Sequence, residues 1–544
     1  MNKLFKSLIC CSILIACDSP QEEKHSQKPN ILLIVADDLG YADLGSYGGD
    51  IDTPNLDLLA SEGRRFSQFK AGPSCAVSRS MFLTGNDNHI AGMGKQSHYT
   101  EVEGYEGYLS NRVLTIPEVL LKSSYHTYMV GKWHLGPELE HDPSYRGFEK
   151  SFMTPEGGAN HYNSLGVLPQ APISIYRENG QETTWPEGAY STDFYTIKII
   201  EYISSNLEDE KPFFAYASYT TPHWPLQVDE EHWQKYVGRY DDGYENLQAK
   251  RLESLKKAGI ISDKVVLPEL STRVKPWKEL SPQQQKKEAR KMELYSGMID
   301  NLDKNIGKVI SYLKGAGVYE NTLIIFLSDN GAAAEDFYYQ EPFKELLQAN
   351  YTDVFEKMGT AESFISYGPQ WAEAGTGPFR YFKTYMSEGG IRVPMIISGV
   401  GVENIGEIEP AFSTVLDLAP TIYECAGAEY PKNQNGVELK PLLGESMWPI
   451  LSAEKNHIHT DNYVFGMEHD GNAMIQKGDW KILNYQTPFD KTNFELFNTN
   501  NDPSERINLC KTHPKKFDEM LEEWDIWSKK VGVILPTPES KSDF

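Results

Sequence analysis

Four short apolar runs, each ending on ionisable residues, constrain this chain more than any other feature. Ile31-Leu32-Leu33-Ile34-Val35-Ala36 stops at Asp37-Asp38, and Thr127-Tyr128-Met129-Val130 leads into Gly131-Lys132-Trp133-His134. Phe213 to Tyr219 leads into Thr220-Thr221-Pro222-His223, and Leu323-Ile324-Ile325-Phe326-Leu327 stops at Ser328-Asp329-Asn330. None alternates apolar with polar residues, the pattern of strands buried on both faces of a parallel sheet. Between them, Tyr295, Ile299, Leu302, Ile306, Val309 and Leu313 recur at helical spacing, and Gly315 and Gly317 stop the repeat. Strands alternating with helices predict an α/β fold, a large and mostly parallel sheet sandwiched by helices. Ligands of such sheets bind outside the carboxyl ends of the strands. All four runs therefore deliver their polar residues to one edge.

The 544 residues leave room for more than this unit. After about residue 430, Trp480-Lys481-Ile482-Leu483 and Phe494-Glu495-Leu496-Phe497 read as short strands split by turn residues. An amphipathic helix follows with Phe517, Leu521 and Trp524 on its apolar face. The expected organisation is a catalytic α/β unit over 29–430 and a smaller α+β domain over 431–544. The charged stretch 229–290 reads as a helical insertion and 332–379 as a long loop over the site, both shaping specificity.

The amino terminus is a targeting segment. Lys3 and Lys6 precede an apolar run, Ser7 to Ala16, too short to span a bilayer. Leu14-Ile15-Ala16-Cys17 resembles a bacterial lipobox, which implies a signal peptide over 1–17, lipid on Cys17 and a polar tether over 18–28. The expected location is the bacterial cell envelope, as a periplasmic or outer-membrane lipoprotein touching the membrane only through its lipid. Of six cysteines, Cys10, Cys11 and Cys17 belong to this segment. Cys75, Cys425 and Cys510 remain, too few for a disulfide framework, and the odd number flags one as chemically special. Lys and Arg number 52 against 77 Asp and Glu, a net charge of −25 that disfavours nucleic acid as a partner.

Asp37, Asp38, Asp329 and Asn330 close adjacent runs and offer three carboxylates and an amide oxygen. That hard set suits Ca2+, with Mg2+ second because it demands stricter geometry. Either pair alone would read as a turn or helix cap.

The segment Pro73-Ser74-Cys75-Ala76-Val77-Ser78-Arg79, followed by Leu83-Thr84-Gly85, resembles the signature of the type I sulfatases, Cys-x-Pro-Ser/Thr-Arg then Leu-Thr-Gly. The likeness continues through Asn86 to Gly92, Gly131-Lys132-Trp133-His134, Thr221-Pro222-His223-Trp224-Pro225 and Glu388-Gly389-Gly390-Ile391-Arg392-Val393-Pro394. Within that family the chain most resembles the bacterial arylsulfatases. Val77 departs from the pattern, standing where the family has proline, a position read by its maturation enzymes.

The resemblance implies an alkaline-phosphatase-like fold and an exported hydrolase of sulfate monoesters, releasing an alcohol or phenol and sulfate. Cys75 becomes the precursor of Cα-formylglycine, made by a formylglycine-generating enzyme, and a metal ligand. Its hydrate attacks sulfur to give a sulfated hemiacetal, and its second hydroxyl then expels sulfate. Arg79 holds that hydrate, Lys132 and Lys383 clamp sulfate oxygens, His223 protonates the leaving group and His134 is the base for hemiacetal breakdown. His89 is a more distant candidate for the pocket. The implied substrate is a sulfated small molecule or sulfated glycan. Two alternatives remain: a phosphoester or phosphonate hydrolase of the same superfamily, and a glycan-binding relative without activity if Cys75 stays a thiol.

Overall fold

The computed structural model describes residues 28–96, 100–269, 271, 274–486 and 489–535. The targeting segment with Lys3, Lys6, Cys10, Cys11 and Cys17 lies outside them. Ten strands form the main sheet: β1 (Asn30–Ala36), β2 (Gly63–Phe66), β3 (His126–Lys132), β4 (Lys150–Thr154), β5 (Tyr176–Glu178), β6 (Gln181–Thr183), β7 (Phe213–Ser218), β8 (Thr322–Ser328), β9 (Met395–Gly399) and β10 (Ile408–Glu409). Their order is β10-β2-β9-β8-β1-β7-β3-β4-β5-β6. The four apolar runs are β1, β3, β7 and β8, and they are neighbours. With β4 they make a continuous parallel block, while β9 runs antiparallel to β8 and β2, β5 runs antiparallel to β4, and β10 joins β2 in parallel.

Every residue of β1 is buried, and its side chains divide by parity. Leu32 and Ile34 enter one core with Ile299, Leu302 and Ile306 of the helix Pro282–Gly315. Ile31, Leu33 and Val35 enter the other with Val77, Met81 and Phe82 of the helix Cys75–Thr84. Each face thus has its helix, which is why neither face alternates in the sequence. Truncating Leu302, fully buried there, costs about 2–5 kcal/mol.

The long helix begins well before its apolar repeat. Ser281 accepts from the Gln284 amide, the Gln284 side chain returns the bond, and Pro282 takes the first turn. The charged stretch 229–290 is helical only in part, at Glu230–Trp233 and Tyr244–Lys257, and its last residues already belong to this helix. Region 332–379 contains two short helices, Phe343–Asn350 and Gly368–Gly375.

Beyond residue 430 lies an antiparallel sheet of β11 (Val464–His469), β12 (Asn472–Lys477), β13 (Trp480–Asn484) and β14 (Glu495–Asn498). The helix Pro514–Val531 covers one face through Met520, Trp524, Trp527 and Val531, with Phe517 and Leu521 only partly buried beside them. The opposite face, including Met467, Met474 and Leu483, merges into the core around Met81 and Phe82. Buried charges fasten the join. His89 sits between the carboxylates of Asp87 and Glu468, 2.9 Å from each. Lys481 reaches Glu388 at 3.0 Å and Glu505 at 2.7 Å, and Glu388 also pairs with Lys70.

Candidate active site

The register of the parallel block levels four strand ends. Ala36 pairs with Ser328, Val35 with Ser218, and Ser218 with Gly131. Asp37-Asp38, Asp329-Asn330, Lys132 and the loop to His223 therefore emerge side by side. Cys75 opens the buried ten-residue helix Cys75–Thr84, which ends at Gly85 in a left-handed conformation (φ 65°) suited to glycine. Its amino-terminal amides favour an anion at residue 75.

Nine of the ten residues named from the sequence meet directly. The Cys75 Sγ lies 3.4 Å from Asp37 Oδ1 and 3.8 Å from Asp38 Oδ1. Lys132 Nζ donates to both oxygens of Asp37, at 2.9 and 2.8 Å. Lys383 Nζ donates to Asp38 at 2.9 Å, and Asn330 Nδ2 donates to Asp38 Oδ1 at 2.6 Å. His223 Nε2 is 3.4 Å from Asp38 Oδ2. Arg79 donates to Asp329 Oδ2 from Nε at 3.0 Å and Nη2 at 2.8 Å. Its remaining nitrogen donates to Ser218, Tyr216 and the Lys132 carbonyl. In the unmodified chain Arg79 thus braces Asp329 against the ends of β3 and β7. The tenth, His134, shares the field of Lys132, Arg79 and Lys383.

Three carboxylates face three cations here, so the cluster balances before any ligand arrives. The donor atoms fit a divalent cation. Asn330 Oδ1 is buried with no hydrogen-bond partner among the described residues, although the amide nitrogen is fully engaged. Asp37, Asp38, Cys75 and His223 each offer a ligand atom within 4.8 Å of one another. An amide oxygen without a donor beside several carboxylates is the environment of a hard cation. Adding two positive charges would also turn a neutral cluster into an anion receptor.

Burial sets the proton affinities. It drives the Asp37 carboxyl up to about 7, against the pull of the Lys132 ammonium. At Asp38 burial pushes the same way, but Lys383, His223 and Lys132 outweigh it and hold the carboxyl below its ordinary range. Burial and the Asp329 charge push the Cys75 thiol well up, so unmodified it is a protonated thiol. Burial, then the neighbouring cations, hold His134 well below 6.5, and burial with Lys132 and Lys383 does the same at His223 despite Asp38. Both rings are neutral here. The Trp224 carbonyl, 2.7 Å from His223 Nδ1, fixes the proton on that atom, leaving Nε2 to exchange protons at the cluster.

Asp38 (φ 67°) and His134 (φ 55°) hold left-handed backbone, as does Thr384 (φ 77°) beside Lys383, a strained conformation that recurs at functional sites. Gly157 and Gly158 pack on the two histidine rings. A Cβ on Gly157 would lie 2.6 Å from His134 Cε1, and one on Gly158 3.1 Å from His223 Cε1. The segment 157–162, Gly-Gly-Ala-Asn-His-Tyr, thus frames both histidines. His161 in it also bonds the His223 carbonyl at 3.1 Å. His89 is not at the pocket, since Asp87 and Glu468 engage both of its ring nitrogens. Ser218, Tyr216 and Glu335 join the site without having been singled out. Only the position of Glu335, six residues past Asp329, could have drawn attention to it.

This arrangement defines a hydrolase of anionic esters, with a buried residue at a helix start, paired cations and a seat for a metal at the carboxyl edge of an α/β sheet. The chain belongs to the sulfatase family, whose model matches residues 29–428. A model of the carboxyl-terminal part of N-sulphoglucosamine sulphohydrolase matches residues 377–524. An arylsulfatase of Klebsiella aerogenes is 38% identical over 79% of this chain and 93% of its own. An uncharacterized sulfatase of Schizosaccharomyces pombe is 37% identical over 94% and 96%. Among solved structures, Ps i-CgsB matches with a TM-score of 0.66 and 27% identity, over 92% of this chain and 93% of that one. A phosphonate monoester hydrolase of Agrobacterium radiobacter shares the fold, with a TM-score of 0.57 and 19% identity over 93% and 96%. The protein is accordingly a sulfuric ester hydrolase of alkaline-phosphatase-like fold.

Proposed function

We propose that this protein hydrolyses sulfate monoesters with an oxidised, hydrated residue 75, at a site that holds Ca2+ through Asp37, Asp38, Asp329 and Asn330. The carrying observation is the packing of Cys75 against Asp37 and Asp38 at a helix start, with Lys132 and Lys383 on those same carboxylates. A divalent cation there would supply Lewis-acid polarisation and favour an ionised oxygen ligand. Formylglycine hydrate would supply one hydroxyl to attack sulfur and a second to expel sulfate.

The chain's own groups do the rest. Lys132 and Lys383 turn from their carboxylates to the sulfate oxygens, and the helix amides below residue 75 add to the attraction. His223 keeps its own proton on Nδ1 against the Trp224 carbonyl, so its free Nε2 takes up a proton released by the attacking hydroxyl and hands it to the leaving oxygen. His134, neutral and with a buried Nδ1 lacking a hydrogen-bond partner among the described residues, serves as the base. Arg79 keeps Asp329 in place.

The substrate is a sulfated small molecule or sulfated glycan. The arylsulfatase relative supports the first, and the solved complex of Ps i-CgsB with k-i-k-neocarrahexaose supports the second. Export as a lipoprotein through Cys17, and conversion of Cys75 by a formylglycine-generating enzyme, complete the proposal and rest on the sequence. The test is mass spectrometry of the peptide containing residue 75, paired with turnover of 4-nitrophenyl sulfate and 4-nitrophenyl phosphate. Aldehyde at residue 75 and preference for sulfate are expected. Preference for phosphate would favour the phosphohydrolase reading, and an intact thiol with no turnover would favour the binding protein.

A further inference from the structure

His223 reaches the cluster from the loop Thr220 to Pro225 beyond β7, so its place depends on what restrains that loop. On the inner side the Asp37 amide donates to the Thr221 carbonyl at 3.0 Å. On the outer side the loop meets the segment 157–162 and the start of the helix Ser191–Ser204. A Cβ on Gly158 would lie 3.1 Å from His223 Cε1, and the hydroxyls of Thr192 and Thr221 lie 2.6 Å apart.

His161 touches His223 itself, and all four of its polar atoms are committed. The His161 amide donates to Gln227 Oε1 at 3.0 Å, and its carbonyl accepts from the Ser191 amide at 2.8 Å. Its Nδ1 lies 2.7 Å from the Ser191 hydroxyl and its Nε2 3.1 Å from the His223 carbonyl. A carbonyl can only accept, so Nε2 carries the proton. Burial brings the ring down to about 4, so it is neutral and Nδ1 accepts from Ser191. Three of the four bonds thus anchor His161 to Gln227 and Ser191, and the fourth falls on His223. Gln227 is held in turn, donating to the Ser363 carbonyl at 2.8 Å.

We infer that His161 is a positioning residue: its Nε2–H, donated to the His223 carbonyl, sets the His223 imidazole where Nε2 can hand a proton to the leaving oxygen. The inference rests on His223 serving the leaving group and adds the residue that fixes its reach. A reacting group misplaced by about 1 Å can cost about 100-fold. A weakly acidic phenol or an alcohol needs the proton most, whereas 4-nitrophenolate departs with little help.

The test compares phenyl sulfate with 4-nitrophenyl sulfate in wild type, His161→Ala, His161→Gln, Ser191→Ala and His223→Ala. The readout is the kcat/KM on phenyl sulfate divided by that on 4-nitrophenyl sulfate for each preparation, with phenol release followed by chromatography. Taking the quotient cancels differences in folding and in maturation of residue 75. His223→Ala should lower it about 100-fold and His161→Ala about 10-fold. His161→Gln, whose side-chain amide can still donate to the carbonyl, should stay within about twofold of wild type. Should His161→Ala yield no folded enzyme, Ser191→Ala, which removes only the hydroxyl on Nδ1, should still lower the quotient about fivefold. Equal losses on both esters in the His161 and Ser191 variants, with the His223→Ala quotient lowered, would show a structural role and overturn this inference alone. An unchanged quotient in His223→Ala would overturn the role of His223 with it.

Discussion

His89 makes the attachment of the C-terminal sheet depend on pH in a calculable way. Burial alone would discharge its imidazolium, but the Asp87 carboxylate and then Glu468 outweigh burial and raise it to about 9, from an ordinary 6.5. That difference corresponds to about 3 kcal/mol. The sign follows from the direction: a raised folded value means the native state holds the proton more tightly. The stabilisation is complete below pH 6.5 and disappears as pH rises through about 9. Replacing His89 with Asn removes the proton and leaves two buried carboxylates facing one another. Urea unfolding followed by tryptophan fluorescence is a suitable assay, because the Trp527 ring lies 6.5 Å from His89. The stability gap between wild type and His89→Asn should be widest near pH 6.5 and shrink by about 3 kcal/mol by pH 9.5. A constant gap across that range would refute the argument, since a neutral histidine held by packing alone has no reason to weaken there.

Other expectations concern the catalytic cluster. Lys383→Ala should lower kcat/KM for 4-nitrophenyl sulfate by about 100-fold, the usual result of removing one charge-stabilising donor; a loss under about threefold would rule out a sulfate clamp. Chelation should abolish turnover, with Ca2+ restoring it better than Mg2+, and saturating metal should raise the unfolding midpoint of the protein; a midpoint indifferent to chelator would count against the seat at Asn330. Gly157→Ala brings a methyl group to 2.6 Å from the His134 ring, so kcat should drop about 10-fold while 4-nitrophenyl sulfate still saturates normally. Arg79→Lys should destabilise the fold by about 3 kcal/mol in urea unfolding, because Asp329 loses two donors while still buried.

Much of the catalytic cluster was legible because Asp37, Asp38, Lys132, His134, His223, Asp329 and Asn330 follow on apolar runs, and strands buried on both faces leave a clear trace. Cys75, Arg79 and Lys383 were legible only through the family resemblance. Asp37, Lys132 and Asp329 could be placed at one edge from sequence alone, since parallel neighbours end in register. The start of the long helix was less visible. The turns between Ser281 and the apolar repeat are largely polar, so only the local Ser281 and Gln284 capping pair marked its beginning. Ser218 and Tyr216 were not legible at all, because their roles arise from contacts with Arg79, 139 and 137 residues away, and nothing local distinguishes them. His89 shows the opposite failure. It lies inside a family motif near the site, yet its partner Glu468 is 379 residues further on and turns it toward the C-terminal sheet.

Cys75 is 3% exposed in the finished fold, and Ala76, Val77, Ser78 and Arg79 behind it are wholly enclosed. A second protein that must grip this pentapeptide to change its first side chain has no route to it once the two cores close. Any such alteration consequently belongs to the time before the chain folds, while the segment is still extended. A batch of thiol-bearing molecules that had already folded would be out of reach, and exposing them to the modifying protein afterwards would rescue nothing.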